Sequence, residues 1–149
     1  MHEEKAFFMM KILIILFIIL GMNLTEKEAL NSVDLSYQTR GMQKNLHITS
    51  EKVSVTINGE ITNYKIKPAQ WNKIVLATQK VSLKDISTLK RPSSKSYSDA
   101  AFEAVLKVNT SSQEYESISF DHHTPPTELS LLIKTMKATL LEKKQRIDF

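Results

Sequence analysis

Two apolar periodicities alternate along this chain, and they constrain its fold more than any other feature. Every second residue is apolar from Val33 to Tyr37, from Leu46 to Ile48, from Val53 to Ile57 after a predicted break at residues 50–52, and from Phe102 to Val108. This pattern is typical of strands with one buried face. The pair Asn58-Gly59 follows Ile57 and indicates a tight hairpin, because both residues tolerate positive φ. These stretches predict two groups of antiparallel strands.

A helix is predicted after each group of strands. Pro68 suits the first turn of a helix, and we expect this helix to bury Trp71. For the second helix, Thr124 is the predicted N-cap and Pro125 the first helical residue, and one apolar stripe runs over residues 129–141. The order strands, helix, strands, helix predicts an α+β fold. We expect an antiparallel sheet of about four to six strands with two main helices packed on one face and the other face open to solvent.

The apolar run Ile12–Leu20 indicates where the protein is delivered. It carries no charge and follows Lys11, which is the basic-then-apolar order of a secretory signal. We interpret residues 1–23 as a signal peptide, and because Gly21-Met22-Asn23 lacks a small-x-small cleavage pattern, an uncleaved N-terminal hydrophobic anchor is the alternative. Met10 is an alternative translation start. The prediction is an exported protein, periplasmic or extracellular, in which residues 24–149 form a single α+β domain.

Composition and charge disfavour several classes of function. The chain has no cysteine, which excludes disulfides and thiol chemistry, and its three glycines cannot build a glycine-rich phosphate loop. The net charge of +4 is concentrated between Arg40 and Lys95, and a basic half can meet nucleic acid, anionic lipid or an acidic protein. Because the lysines are scattered rather than clustered with aromatic residues, we expect a protein partner, no nucleic acid, and membrane contact only through an uncleaved N-terminal segment.

Several short motifs follow one another over most of the expected mature chain: Thr39-Arg40-Gly41, Trp71, Leu89-Lys90-Arg91-Pro92-Ser93, Ser98-Asp99-Ala100-Ala101, Tyr115-Glu116-Ser117 and Phe120-Asp121-His122-His123-Thr124-Pro125-Pro126. In this order they resemble a group of small exported bacterial proteins of unknown function with a Phe-Asp-His-x-x-Pro-Pro segment. That group usually has glycine at the positions of Ala100 and His123. The layout is also similar to that of the small emfourin-type inhibitors of thermolysin-like metalloproteases. This second resemblance implies an inhibitor-like role and transfers no inhibitory residues.

Asp121, His122 and His123 are the first binding candidates, at the expected junction of a strand and a helix. Aspartate and histidine are common ligands of zinc and related ions. Adjacent histidines on an extended segment point in opposite directions, however, so His122 and His123 would not bind one ion together. We therefore predict no metal site, and we interpret Asp121 as a turn residue whose carboxylate accepts hydrogen bonds from backbone N–H groups.

Asp99 and Arg40 complete the set of binding candidates. Asp99 follows Ser98, but the Gly-x-Ser-x-Gly elbow of a serine nucleophile does not occur in the sequence, and we interpret the segment as a turn. Arg40 precedes Gly41, and its planar guanidinium can bind a carboxylate of a partner through two hydrogen bonds. The alternative, which we favour, is a surface ion pair at the end of a strand. No catalytic residue and no cofactor is predicted.

The sequence therefore predicts an exported non-enzymatic domain that binds another protein, with a protease-inhibitor-like module as its most concrete version. Two alternatives stay open. One is a metal-dependent enzyme that uses the Asp121-His122-His123 loop. The other is a structural component of the envelope that is anchored by its N-terminal segment.

Overall fold

The computed structural model describes residues 28–98 and 101–141, and it confirms the predicted α+β class. The predicted signal peptide or anchor at residues 1–23 lies outside the described residues. Within them, no helix combines the length and the apolar content needed to cross a membrane. The strands are β1 (Leu30–Thr39), β2 (Met42–Thr49), β3 (Lys52–Ile57), β4 (Glu60–Lys65), β5 (Glu103–Thr110), β6 (Glu114–Glu116) and β7 (Phe120–Asp121), and the two main helices are α1 (Pro68–Thr78) and α2 (Thr127–Leu141).

All seven strands belong to one antiparallel sheet. Its order is β4-β3-β2-β1-β5-β6, and β7 pairs with β5 beside β6. The sheet has seven strands instead of the expected four to six, because the segment that follows β5 pairs with it as two short strands, β6 and β7. Between β6 and β7, the Leu106 N–H donates to Ser117 Oγ at 3.0 Å, so a hydroxyl replaces a carbonyl of the ladder. The tight hairpin between β3 and β4 is confirmed, with φ of +49° at Asn58 and +91° at Gly59.

The hydrophobic core lies between one face of the sheet and the two helices. In the middle of the sheet, Leu35 of β1 stands opposite Leu46 of β2 and Leu106 of β5, and all three side chains are fully buried. The buried apolar residues of α1 and α2 belong to the same apolar cluster, and the two helices contact each other. Trp71 is only half-buried against this core, whereas its neighbour Gln70 is buried. Tryptophan is seldom buried completely because its side chain is so large.

The predicted start of α2 was wrong by two residues. The helix begins at Thr127, and neither Thr124 nor Pro125 belongs to it. The physical reason is the second proline. A residue that precedes proline is pushed out of the α region, so Pro126 prevents Pro125 from being the first helical residue. Thr124 belongs instead to a turn, in which its N–H donates to the Asp121 carbonyl at 2.8 Å.

Candidate functional site

Asp121 is a buried anchor for the segment that leads into β5. Its carboxylate accepts hydrogen bonds from the backbone N–H groups of Lys95 and Ser96, at 2.8 and 2.9 Å, and from Arg91 Nη2 at 3.0 Å. The Asp121 side chain is 1% exposed and the Arg91 side chain 14%. The carboxylate of Asp121 is thus used inside the fold, where it holds the short 3₁₀ turn Lys95–Ser98 against β7.

Arg91 spreads its donors over the same corner of the sheet. Its Nε donates to the Ser93 carbonyl at 2.7 Å, Nη1 donates to Ser119 Oγ at 3.0 Å, and Nη2 also donates to Ser96 Oγ. The guanidinium carbon lies 4.1 Å from the ring centroid of Tyr97, which covers it from solvent. These contacts fix a segment that has almost no regular secondary structure.

Hydrogen bonding decides the ionisation of Asp121. Burial alone would raise the pKa of this carboxyl, but the hydrogen bonds from Ser93, Ser96 and Arg91 outweigh burial and hold its pKa well below the ordinary value. Asp121 is therefore a carboxylate throughout the physiological range of pH.

The lowered pKa of Asp121 predicts how stability changes in acid. Because the pKa is lower in the folded state than the value of about 3.9 in an unfolded chain, the stabilisation is complete above the unfolded value and is lost as the pH falls towards the folded one. Asp121→Asn is expected to lower the melting temperature at neutral pH and to flatten the decline below about pH 4. Thermal unfolding across this range measures the effect. Asp85→Asn, at an exposed carboxylate, is the matched control and should lower the melting temperature at neutral pH by less than Asp121→Asn does.

His122 and His123 occupy the two central positions of the turn after β7, which agrees with the interpretation of this segment as a turn and not with the premise that the two histidines lie on an extended segment. Their ring centroids are 3.6 Å apart, so the rings lie against each other instead of pointing in opposite directions. The turn closes through the hydrogen bond from the Thr124 N–H to the Asp121 carbonyl, and the side chain of Asp121 holds the start of the turn against Lys95 and Ser96. Within residues 28–98 and 101–141, no group of three or more acidic or histidine side chains could hold a metal ion.

The two histidines belong to a larger group, here called the cationic–aromatic cluster, at the end of the sheet where β1 finishes. The His122 ring makes edge contacts with Phe102 and Tyr37, with centroids 5.1 and 5.5 Å apart. Two amines lie over the aromatic rings: Lys44 Nζ is 5.4 Å from the Phe102 centroid, and Lys137 Nζ is 5.1 Å from the Tyr37 centroid. The cluster comprises Tyr37, Lys44, Phe102, His122, His123 and Lys137.

Positive charge is crowded in this cluster. Burial lowers the pKa of His122, and the neighbouring His123 and Lys137 lower it further. Burial and the nearby Lys44 likewise lower the pKa of Lys137. Burial also raises the pKa of the Tyr37 hydroxyl far above its ordinary value, so tyrosinate does not supply a counter-charge. Among the described residues, no carboxylate forms an ion pair with Lys137 or with either histidine.

The structure brings together some of the predicted binding candidates and separates others. His122 and His123 lie in the cluster, and Arg40 lies in the exposed turn between β1 and β2 at the same end of the sheet. Asp121 is adjacent in sequence but faces the Arg91 corner. Asp99 lies outside the described residues. Sequence analysis missed Lys44 and Lys137. The sequence does contain a signal for Lys44, because this charged residue lies on the same face of β2 as the buried Leu46 and Ile48.

The other face of the sheet carries a row of polar residues that crosses six strands. In register from β4 to β6, the row consists of Asn63, Ser54, His47, Asp34, Lys107 and Glu116. Lys107 Nζ lies 2.7 Å from Glu116 Oε2, and His47 Nδ1 lies 2.6 Å from Asp34 Oδ1. Most of the polar groups of this row are therefore paired with their neighbours across the strands.

Ser54, His47 and Asp34 are also the residue types of a hydrolytic triad, but their geometry is different. Ser54 Oγ donates to Asn63 Oδ1 at 2.6 Å, and its proton is therefore not shared with His47. Ser54 lies on β3, which is paired on both sides, so the ladder occupies the N–H groups that an oxyanion hole would need. The row thus forms a polar surface without an activated nucleophile.

A cleft of about 590 Å³ lies at the opposite end of the sheet from the cluster. Apolar side chains line much of it, among them Leu30, Val81 and Leu83. Its carboxylate, Glu28, accepts hydrogen bonds from Thr110 Oγ1 at 2.7 Å and from the Tyr115 hydroxyl at 3.2 Å. The cleft therefore holds its acidic group in internal contacts.

Comparisons of this chain with protein families, with curated proteins and with solved structures found no match.

Proposed function

We propose that this chain is an exported, non-enzymatic domain that binds a protein partner, and that the cationic–aromatic cluster receives acidic side chains of that partner. The observation that carries the proposal is the crowding of Lys137, His122 and His123 on an aromatic floor without a carboxylate partner among the described residues. The N-terminal apolar run supports export, and the charge of the cluster supports an acidic ligand.

The cluster is a better candidate for recognition than the polar sheet face. Protein interfaces draw most of their binding energy from a few aromatic and cationic anchors. The cluster presents the half-buried Phe102 and Lys137 side chains in one patch, whereas the polar side chains of the row on the open face are already paired with one another. Like charges held together also destabilise the free domain, and an acidic ligand would relieve that repulsion.

The test compares three versions of the full chain as bait: wild type, Lys137→Gln and Lys134→Gln. Lys134 is an exposed lysine on the same helix, outside the cluster, and serves as the matched control. Each bait is incubated with the cell envelope and culture medium of its own source, and retained proteins are identified by mass spectrometry. We expect a partner that wild type and Lys134→Gln retain and that Lys137→Gln binds about tenfold more weakly, a loss of about 1.4 kcal/mol.

Two results would contradict the proposal. One is a set of retained proteins that does not differ among the three baits. The other is one bound metal ion per chain, together with hydrolytic turnover that is lost on replacing His122, which would support the metal-dependent enzyme instead.

A further inference from the structure

We propose that His122 recognises its ligand as a neutral imidazole, whose Nε2–H donates a hydrogen bond to a carboxylate oxygen of an acidic peptide segment, while Lys137 supplies the positive charge. This inference rests on the proposed function and names the group that the cluster binds and the atom that binds it.

The tautomer of His122 follows from one contact. The backbone N–H of Phe102 donates to His122 Nδ1 at 3.1 Å, and a nitrogen that accepts a hydrogen bond carries no proton. The proton of the neutral ring therefore sits on Nε2. Among the described residues, no hydrogen bond involves His122 Nε2, so this donor is available to a ligand.

The ladder between β7 and β5 holds this contact in place. The His122 N–H donates to the Phe102 carbonyl at 3.0 Å, one residue beyond the pairs of Glu103 with Asp121 and of Ala104 with Phe120. Both backbone groups of Phe102 are thus hydrogen-bonded to His122: the N–H to the imidazole ring and the carbonyl to the backbone N–H. Asp121, the residue directly before His122, is buried and hydrogen-bonded to Lys95 and Ser96. The direction of the His122 imidazole is therefore fixed before a ligand binds.

Burial and the neighbouring side chains oppose the protonation of His122. His123 lies against it in the same turn, Lys137 approaches from α2, and Lys44 approaches from β2. Protonation at Nδ1 would in addition place two N–H groups against each other, because Phe102 already donates there. A neutral histidine that donates a hydrogen bond beside a lysine can bind an anionic oxygen. The ligand group should therefore be one that is ionised at neutral pH.

An acidic peptide fits these features better than a free anion does. The half-buried ring of Phe102 offers apolar surface to the methylene groups of a glutamate, and the buried ring of Tyr37 packs behind it. The cations are lysines, which act as point charges, rather than arginines, whose planar fork matches phosphate. We therefore assign carboxylate side chains of a peptide segment as the ligand.

Nuclear magnetic resonance tests the inference with a hexaglutamate peptide as the probe. Two-bond ¹H–¹⁵N spectra of the full chain distinguish a neutral Nε2–H ring from an imidazolium. We expect His122 to keep the neutral Nε2–H signature near neutral pH, both free and with the peptide bound. An imidazolium signature in the complex would overturn this inference and leave the proposed function standing, because the cluster would still bind the acidic segment.

Two substitutions give an independent readout by isothermal titration calorimetry. Gln keeps an N–H donor and cannot titrate, so His122→Gln should bind the peptide with nearly the wild-type affinity. Leu has no donor, so His122→Leu should bind about tenfold more weakly, the change expected for one hydrogen bond to a charged group. Equal affinities of wild type and both variants would overturn the inference. Circular dichroism spectra of the variants establish that they are folded.

Further arms of the titration use inorganic phosphate and vesicles with anionic headgroups. We expect phosphate and the vesicles to bind more weakly than hexaglutamate does. The affinity for hexaglutamate should fall about tenfold in Lys137→Gln but not in Lys134→Gln. Binding to anionic vesicles without binding to the peptide would contradict both the carboxylate assignment and the protein partner. Peptide binding that depends on Lys137 but not on His122 would overturn the role of His122 alone.

Discussion

Arg91→Met is expected to lower the free energy of unfolding by about 3 kcal/mol, because removing one partner of a buried ion pair leaves the other without its counter-charge. Asp121 would keep the N–H donors of Lys95 and Ser96 but lose its only cationic partner among the described residues. Ser119 and the Ser93 carbonyl would lose their contacts at the same time. Chemical denaturation measures the change.

Lys90→Met is the matched control for this experiment. It removes a positive charge from the exposed residue next to Arg91, where single substitutions usually change stability by less than about 0.5 kcal/mol. A loss at Arg91 no larger than that at Lys90 would show that the Arg91–Asp121 corner does not stabilise the fold. It would also weaken the view that this corner fixes the turn that carries His122.

Leu35→Ala is expected to cost about 3 kcal/mol or more, since it opens a cavity at the middle of the core. Leu35 is fully buried and stands opposite Leu46 and Leu106 on the two neighbouring strands, so the backbone cannot easily close the gap. Urea denaturation should show a lower midpoint with an unchanged slope, which marks a loss of stability without a change in compactness.

Ser36→Ala provides the control on the same strand. Ser36 is the next residue of β1 and points to the opposite face, where its hydroxyl donates to the Val105 carbonyl at 3.3 Å. We expect a loss of at most about 1 kcal/mol, the typical net contribution of a single hydrogen bond. Comparable losses at the two positions would contradict the division of the sheet into a buried and an open face.

The parts of the fold that the sequence predicts correctly are those in which burial itself imposes a period. β1 alternates because one face of it is buried, and α2 repeats its apolar residues for the same reason, so both patterns are visible without a structure. The start of α2 was missed because the local preference of Pro126 overrides the apparent cap at Thr124. Local backbone sterics, rather than periodicity, set that boundary.

The candidate site was predicted only in part, because it is assembled from distant segments. Lys44 meets the aromatic floor through its pairing with Tyr37, and Lys137 meets it through the packing of α2 on the sheet. The packing of Lys137 leaves no local pattern in the sequence, and the alternation that places Lys44 on the face of Leu46 and Ile48 does not identify its aromatic partner. The turn of His122 and His123 was singled out from its residue types, but the partners of these residues depend on register and packing.

The strand order also has a consequence for how the chain folds. Strands β1 to β4 join through short hairpins and can pair as soon as they exist, but the second edge of β1 pairs with β5, far downstream. Such non-local pairing is slow to form because a long loop must close first. Until β5 pairs with β1, the apolar residues of β1 lie beside an unpaired strand edge. Such an edge can form hydrogen bonds with other chains. A nascent or truncated chain that stops before β5 should therefore aggregate, and folding should proceed from the β1–β4 meander towards a late closure by β5 and α2.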